Sequence, residues 1–311
     1  MHKSSQFLRF SVPVFVLLAL PGCDRPPLST NGVVGVFGGV GLAGGEFNYP
    51  RGITIGPDHC VYVVDKSARV QRFSSEGVFE TGWRMPEFEA GKPVGLKAHP
   101  DGRIFIADTH YHRVIVYDRD GHELARFGSH GRGAGEFELP TDVAFDADGN
   151  VYVAEYYGND RITKWSADLK FMSVLVSGEI DGKPLARPAG IDFDAEQTLW
   201  CADACNHRIL RFDRQGRLLA RFGELGDGPG QMRYPYDLAV VPDALGGGIL
   251  VCEFEGNRLQ WFSKDGKSLR TWGSVGRELG QVWMPWGVAV GADGRIYVVD
   301  SYNSRVQIIR P

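Results

Sequence analysis

Hydrophobic and polar positions alternate with a period of two in short segments, as in Val61 to Val64 and Ile296 to Val299. β-branched and aromatic residues dominate these segments, which is typical of strands. Between them lie Asp-Gly pairs, whose tolerance of positive φ suits tight hairpins; they stand at Asp101-Gly102, Asp120-Gly121, Asp148-Gly149, Asp265-Gly266 and Asp293-Gly294. The pattern therefore predicts a chain of short antiparallel strands.

The segments belong to six copies of one unit, which contains a proline, then an acid at the end of a strand, then an arginine followed by an aliphatic residue. The prolines are Pro50, Pro93, Pro140, Pro188, Pro235 and Pro285. The acids are Asp65, Asp108, Glu155, Asp203, Glu253 and Asp300, and the arginines are Arg69, Arg113, Arg161, Arg208, Arg258 and Arg305. Six small sheets arranged radially bury each face against a neighbour, so the repeat predicts an all-β, six-bladed β-propeller.

The two ends of the chain indicate how the ring closes. The chain ends at Pro311, after the third strand of the sixth unit, whereas residues 33 to 47 match the outer strand and loop that end the other units. We expect this N-terminal strand to complete the last blade, because an open ring would leave an exposed edge. The propeller domain is therefore predicted to span residues 33 to 311.

The unit resembles the NHL repeat. The segments Cys205-Asn206-His207-Arg208-Ile209 and Gly256-Asn257-Arg258-Leu259 stand where that family has its naming residues. The resemblance covers six units in register and implies the six-bladed fold. It says little about function, because one fold hosts many functions.

The loops between acid and arginine are the most variable part of the unit, and they open on the same face as the segments before each proline. Binding residues are expected on variable loops, and aromatic and histidine side chains concentrate there. The candidate ligand- or partner-binding residues are His110, His112, Tyr156, Tyr157, His207, Tyr236, Trp286 and Tyr302. No catalytic residue is assigned.

The repeated acids and arginines are interpreted as structural, since six near-copies do not make an asymmetric site and each acid can pair with its arginine. Two lead-in segments depart from the repeat, residues 83 to 93 and 175 to 188. A functional role and neutral drift are equally compatible with that departure.

No metal or other cofactor is predicted, although a metal at the channel mouth stays an alternative. The fold also resembles that of an amidating lyase that binds zinc. This resemblance implies a zinc-binding histidine directly after the repeat proline. Here those positions hold Arg51, Val94, Thr141, Ala189, Tyr236 and Trp286. Cys201, Cys205 and His207 lack the paired close spacing of structural zinc sites. Of Cys60, Cys201, Cys205 and Cys252, we expect at most one disulfide, with Cys252 a buried thiol.

The N-terminal segment has the features of a secretory signal: Lys3 and Arg9, an apolar run from Phe10 to Leu20, and the ending Leu20-Pro21-Gly22-Cys23. That ending resembles the bacterial lipobox, which implies lipidation of Cys23. We predict a lipoprotein signal peptide over residues 1 to 22 and a lipidated tether over 23 to 32. An ordinary cleaved signal is the alternative.

Charge and composition narrow the function. The net charge is −4, and loss of Lys3 and Arg9 with the signal makes it −6, which argues against a nucleic-acid partner. The sequence predicts a monomeric propeller, anchored by lipid to a membrane of the bacterial cell envelope and facing the periplasm or the cell exterior. Its predicted role is a non-catalytic platform for a protein, peptide or glycan. The alternative is a metal-dependent hydrolase or lyase with its site at the channel mouth.

Overall fold

The computed structural model describes residues 32–310 and forms six four-stranded antiparallel sheets. The first strands of the six sheets contact one another around a closed ring, so they surround a central axis. Each sheet is a blade, numbered here 1 to 6 in the order of its first strand. The predicted six-bladed β-propeller is confirmed.

The strands of each blade follow the chain from the axis outward. Blades 1 to 3 consist of Pro50–Ile55, Val61–Asp65, Arg69–Phe73 and Phe79–Arg84; Leu96–Ala98, Ile104–Asp108, Arg113–Tyr117 and Glu123–Phe127; and Leu139–Phe145, Val151–Tyr156, Arg161–Trp165 and Phe171–Ser177. Blades 4 and 5 consist of Pro188–Phe193, Leu199–Asp203, Arg208–Phe212 and Leu218–Phe222; and Pro235–Val240, Ile249–Glu253, Arg258–Phe262 and Ser268–Trp272. Blade 6 contains Gly287–Val290, Ile296–Asp300, Arg305–Ile309 and, outermost, Val33–Gly38.

Shorter elements lie in the connections. A two-stranded hairpin, Glu179–Ile180 with Lys183–Pro184, occupies one of the two irregular lead-in segments. Single 3-10 turns span Thr109–Tyr111, Ala204–Asn206, Asp243–Leu245 and Ser301–Asn303. Three of these turns follow directly after a repeat acid, so they shape the loops between acid and arginine.

The N-terminal strand closes the ring as the sequence predicts. Val33–Gly38 pairs antiparallel with Arg305–Ile309, the third strand of blade 6. Phe37 on this strand packs against Phe73 of blade 1, with ring centroids 4.6 Å apart. Strand pairing and apolar packing thus join the two ends of the described chain.

The first strands approach one another too closely for side chains at some positions. A Cβ on Gly190 would lie 2.7 Å from a carboxylate oxygen and 2.8 Å from the Cα of Asp237 on the next blade. The residue two places after the repeat proline is glycine in four blades for this reason. In blades 3 and 5 it is Asp142 and Asp237.

Each repeat acid is buried and paired with its arginine, at distances between 2.5 and 2.9 Å: Asp65–Arg69, Asp108–Arg113, Glu155–Arg161, Asp203–Arg208, Glu253–Arg258 and Asp300–Arg305. Most of these arginines also donate to carbonyls of a lead-in loop; Arg208 donates to Ile180 O at 3.1 Å and to Lys183 O at 3.3 Å. The predicted structural role of these pairs is confirmed, since they hold the loops before each blade.

Asp-Gly turns occupy the face opposite the acid-to-arginine loops. At Gly121 the backbone has φ 91°, and an added Cβ would lie 2.5 Å from the indole of Trp83. The Asp-Gly pair at this turn therefore requires glycine both for conformation and for space.

Several sequence-based predictions concern residues before Gly32. The signal peptide at 1 to 22, the lipidated Cys23 and most of the tether lie outside the described residues. Within residues 32–310, no helix is long and apolar enough to cross a membrane. The four cysteines of that range are all free thiols, and Cys252 is buried as predicted.

Candidate functional site: the mouth of the central channel

Three positions in every blade surround one end of the channel, and we call this surface the mouth. They are the residue before the repeat proline, the residue after it, and the residue after the repeat acid. The first position holds Tyr49, Lys92, Leu139, Arg187, Tyr234 and Met284; the second holds Arg51, Val94, Thr141, Ala189, Tyr236 and Trp286; the third holds Lys66, Thr109, Tyr156, Ala204, Phe254 and Ser301. None of these positions holds an acid.

Local backbone geometry brings the first and third positions together. The N–H of Lys66 donates to the carbonyl of Tyr49 at 3.1 Å, and the N–H of Phe254 donates to that of Tyr234 at 3.0 Å. Tyr49, Arg187 and Tyr234 adopt φ between 54° and 61°, a region that side chains other than glycine seldom occupy. This turn before the proline places their side chains at the mouth.

Aromatic and cationic side chains pack side by side across blades 1, 6 and 5. The guanidinium carbon of Arg51 lies 4.4 Å from the ring centroid of Trp286. Trp286 in turn contacts Tyr236 and Phe254, with centroids 4.6 and 4.9 Å apart. These edge-to-face rings form an aromatic wall with a positive charge beside it; the wall is largely buried, since Tyr236 is 3% exposed.

Arg187 of blade 4 occupies the other side of this wall. Its guanidinium carbon lies 4.3 Å from the ring of Tyr156, 5.7 Å from that of Tyr234 and 5.4 Å from that of Tyr236. It also donates to the Tyr236 hydroxyl at 3.3 Å. Burial raises the pKa of Tyr156 although Arg187 opposes the shift, so this phenol stays neutral near pH 7.

The cations of the mouth have no acidic partners. Among residues 32–310, no carboxylate oxygen lies within 4 Å of a charged nitrogen of Arg51, Lys66, Lys92 or Arg187, unlike the six repeat arginines. Burial lowers the pKa of Lys92, and the neighbouring Lys66 and Arg51 lower it further. Positive charge is therefore concentrated at the mouth without compensation.

Immediately below the mouth the channel becomes acidic and narrow. Lys97 donates to Asp192 at 2.7 Å, and burial raises the pKa of Asp142 and brings that of Asp237 to about 7. These carboxylates accept backbone N–H groups of the next blade, Ile191 to Asp142 and Val288 to Asp237, both at 2.9 Å. The cavity has a volume of about 30 Å³, room for one or two waters and far below the size of a ligand pocket.

The structure brings together three of the residues predicted from the sequence. Tyr156, Tyr236 and Trp286 belong to the mouth. Tyr157 and Tyr302 lie further out; Tyr157 is 70% exposed, and Tyr302 packs on Tyr49 with ring centroids 4.6 Å apart. These two form the rim rather than the wall.

Each of the predicted histidines bonds to a lead-in segment. Nδ1 of His207 accepts the N–H of Tyr234 at 3.0 Å, and Nδ1 of His110 lies 3.0 Å from the backbone nitrogen and 3.2 Å from the carbonyl oxygen of Lys92. Nδ1 of His112 bonds to the carbonyl of Glu138. Burial lowers the pKa values of His110 and His207, which suits neutral acceptors. The three histidine side chains thus hold the lead-in backbone around the mouth by hydrogen bonds.

The side chains present do not fit the zinc site of the amidating lyase. Within the described range, no group of three or more histidines, cysteines, aspartates or glutamates could hold a metal ion. The positions after the repeat prolines contain no histidine, and the channel carboxylates are engaged by backbone N–H groups. The described residues around the mouth therefore lack the ligands for that zinc.

Sequence reasoning missed several residues of the mouth: Tyr49, Lys66, Lys92, Arg187, Tyr234 and Phe254. The sequence nevertheless indicated two of them. Lys92 and Arg187 stand at the ends of the two lead-in segments that depart from the repeat. Assigning a functional role to those two segments would have identified both residues.

Known proteins resemble the chain in sequence and in fold. The NHL repeat model matches residues 282–309. Protein brain tumor of Drosophila melanogaster is 38% identical over 24% of this chain and 7% of its own length. A probable peptidyl-alpha-hydroxyglycine alpha-amidating lyase of Caenorhabditis elegans is 26% identical over 63% of this chain and 57% of its own length. The chain thus spans less than two thirds of either relative.

A solved streptogramin B lyase superposes with a TM-score of 0.63, covering 88% of this chain and 96% of that one. Its sequence identity of 16% shows a shared fold and nothing finer. The chain is a six-bladed β-propeller, and its residues 282–309 match the NHL repeat.

Proposed function

We propose that the protein is a non-catalytic binding platform whose ligand or partner rests on the mouth. The observation that supports this most is the wall formed by Tyr236 and Trp286 between Arg51 and Arg187. Tyrosine, tryptophan and arginine are the residue types that dominate binding energy at interfaces. The narrow channel below the mouth would keep an organic ligand on this surface.

The proposed platform is anchored in the bacterial cell envelope through lipidated Cys23. Gly32, where the described chain begins, accepts the N–H of Arg310 at 2.8 Å. Val33 pairs with Ile309, whereas Gly38 pairs with Arg305 beside the acid-to-arginine loop. The strand therefore starts on the Asp-Gly face, and an anchor there would turn the mouth away from the membrane.

Capture of ligands from an envelope extract tests the platform. The immobilised propeller would be compared with Trp286→Ala and with Tyr157→Ser, which alters an exposed side chain and leaves the core intact. Leu269→Ser is the matched control, because Leu269 is an exposed apolar residue, 55% accessible, on an outer strand. We expect the mouth and rim variants to lose a bound species that the control retains; equal capture by all four proteins would reject the platform.

The anchor has a separate test. Growth with a radioactive fatty acid should label the full-length protein, and Cys23→Ala should abolish the label. Label retained by Cys23→Ala would contradict lipidation at this residue.

A second candidate is a hydrolase or lyase acting at the mouth. It is favoured by Asp237, whose raised pKa of about 7 suits a general base. Sequence similarity to a probable amidating lyase is compatible with it. Stoichiometric zinc, calcium or iron in the purified protein would favour the metal-dependent form of this candidate over the platform.

A further inference from the structure

The mouth contains an excess of hydrogen-bond donors over acceptors. Within residues 32–310, Nε of Arg51, Nε of Arg187 and Nε1 of Trp286 are shielded from solvent and have no hydrogen-bond partner. An unpaired buried donor is unfavourable, and more so when it is charged. Three such donors beside one aromatic wall form a set that a single acceptor-rich group could satisfy.

The charges around these donors favour an anion in particular. Arg51, Lys66, Lys92 and Arg187 come from three different blades, and none of them forms an ion pair with another described residue. Burial lowers the pKa of Arg51 and the charge of Arg187 adds to that shift, although Tyr236 and Tyr156 oppose it. Asp160, next to Arg187, is already engaged by the backbone N–H groups of Arg187 and Gly158.

The channel below fixes how deep an anion could go. Asp142, Asp192 and Asp237 lie beneath the mouth with Lys97 as the cation among them. An anion that moved further along the axis would leave the two arginines for Lys97, which is already paired with Asp192. The favourable position for an anion is therefore between the arginines and above the acids.

From this arrangement, and resting on the proposed binding function, we propose that the mouth recognises an organic oxyanion. Its carboxylate or phosphate lies between Arg51 and Arg187, and its apolar body packs on the exposed part of Trp286. Guanidinium groups match both kinds of oxyanion through paired N–H donors. The aromatic rings would stabilise the attached body by contact rather than by charge.

Pairs of probes that differ only in charge test this inference on the full mature chain. One arm uses N-acetyl-tryptophan and its neutral amide, and the other uses phenyl phosphate and phenol, each measured by ligand-observed NMR titration. In at least one arm we expect the anion to bind about tenfold more tightly than its neutral partner. The arm that responds identifies the oxyanion as carboxylate or phosphate.

Variants assign that preference to the mouth. Arg51→Gln and Arg187→Gln should each remove most of the preference for the anion. Arg270→Gln should not, although Arg270 also stacks on an aromatic ring, that of Trp261 at 4.2 Å, and lies outside the mouth. Thermal melting of every variant shows whether it is folded.

Two results would overturn the inference. One is equal binding of anion and neutral probe, or binding of neither at 10 mM probe, in both arms. The other is an anion preference that survives in Arg51→Gln and Arg187→Gln. Either result leaves the binding platform itself intact, because capture depends on Trp286 and Tyr157 rather than on the charge of the probe.

Discussion

Arginine has two contrasting roles in this propeller. Arg208 is 2% exposed, pairs with Asp203 at 2.7 Å and also donates to two lead-in carbonyls. Arg187 lies at the mouth among tyrosine rings, with no carboxylate partner and with an unpaired Nε. The pairing of acid and arginine recurs in all six blades and stabilises the fold, whereas among the described residues an unpaired arginine stands at the mouth in blades 1 and 4 alone, as Arg51 and Arg187. The comparison indicates that the arginines repeated in every blade are structural, whereas those that are not repeated belong to the candidate site.

Removing a repeat arginine should have the largest effect on stability. Arg208→Ala leaves the buried carboxylate of Asp203 unpaired, so we expect a loss of about 3–5 kcal/mol in the free energy of unfolding. Urea unfolding followed by circular dichroism measures it. Lys92→Gln is the matched mouth variant and should change stability by less than about 0.5 kcal/mol, because it removes repulsion as well as contacts. Similar losses in the free energy of unfolding of both variants would contradict the distinction between repeat arginines and mouth cations.

The channel acids should make stability depend on pH. Burial raises the folded-state pKa of Asp237 to about 7, above the ordinary value of 3.8. The folded state therefore binds more protons between these values, and stability falls as the pH rises through 7. Asp237→Asn keeps an acceptor for the Val288 N–H. It should remove a loss on the order of 4 kcal/mol between pH 4 and 8. If the free energy of unfolding depended equally on pH in the unsubstituted protein and in Asp237→Asn, this prediction would be contradicted.

The histidine bonds at the mouth should have the smallest effect. His207→Ala removes the acceptor for the Tyr234 N–H, which should cost about 1 kcal/mol at pH 8. Burial lowers the folded-state pKa of His207, so its contribution is complete above the ordinary value of 6.5 and declines as the pH falls below it. Unfolding at pH 8 and pH 5.5 checks both the size and the sign. An unchanged difference at the two pH values would refute the neutral-acceptor role.

The sequence allowed the architecture to be predicted almost completely. Six copies of proline, acid and arginine set the number of blades, and the match of residues 33 to 47 to the outer strands located the closing strand. The pairing of each acid with its arginine followed from their repetition. These features depend on local patterns that repeat, which a single sequence displays directly.

The site was predicted only in part, because the inward direction of a side chain depends on backbone angles that alternation does not reveal. Tyr49, Arg187 and Tyr234 face the mouth because φ before the proline is positive. The histidines in the variable loops were selected for their chemistry, but Nδ1 of His207 accepts a backbone N–H group and Nδ1 of His110 contacts the backbone of Lys92. Tyr236 and Trp286 were found because they follow the proline directly.

Site-specific photo-crosslinking in the native envelope tests the mouth as a binding surface most directly. A photoreactive phenylalanine analogue would replace Tyr157 on the rim in one strain and Leu269 on an outer strand in another. Our account predicts a discrete crosslinked species from position 157 that is missing from position 269 and is reduced by Trp286→Ala. Crosslinks from position 269 alone, or from both positions equally, would contradict the assignment of binding to the mouth.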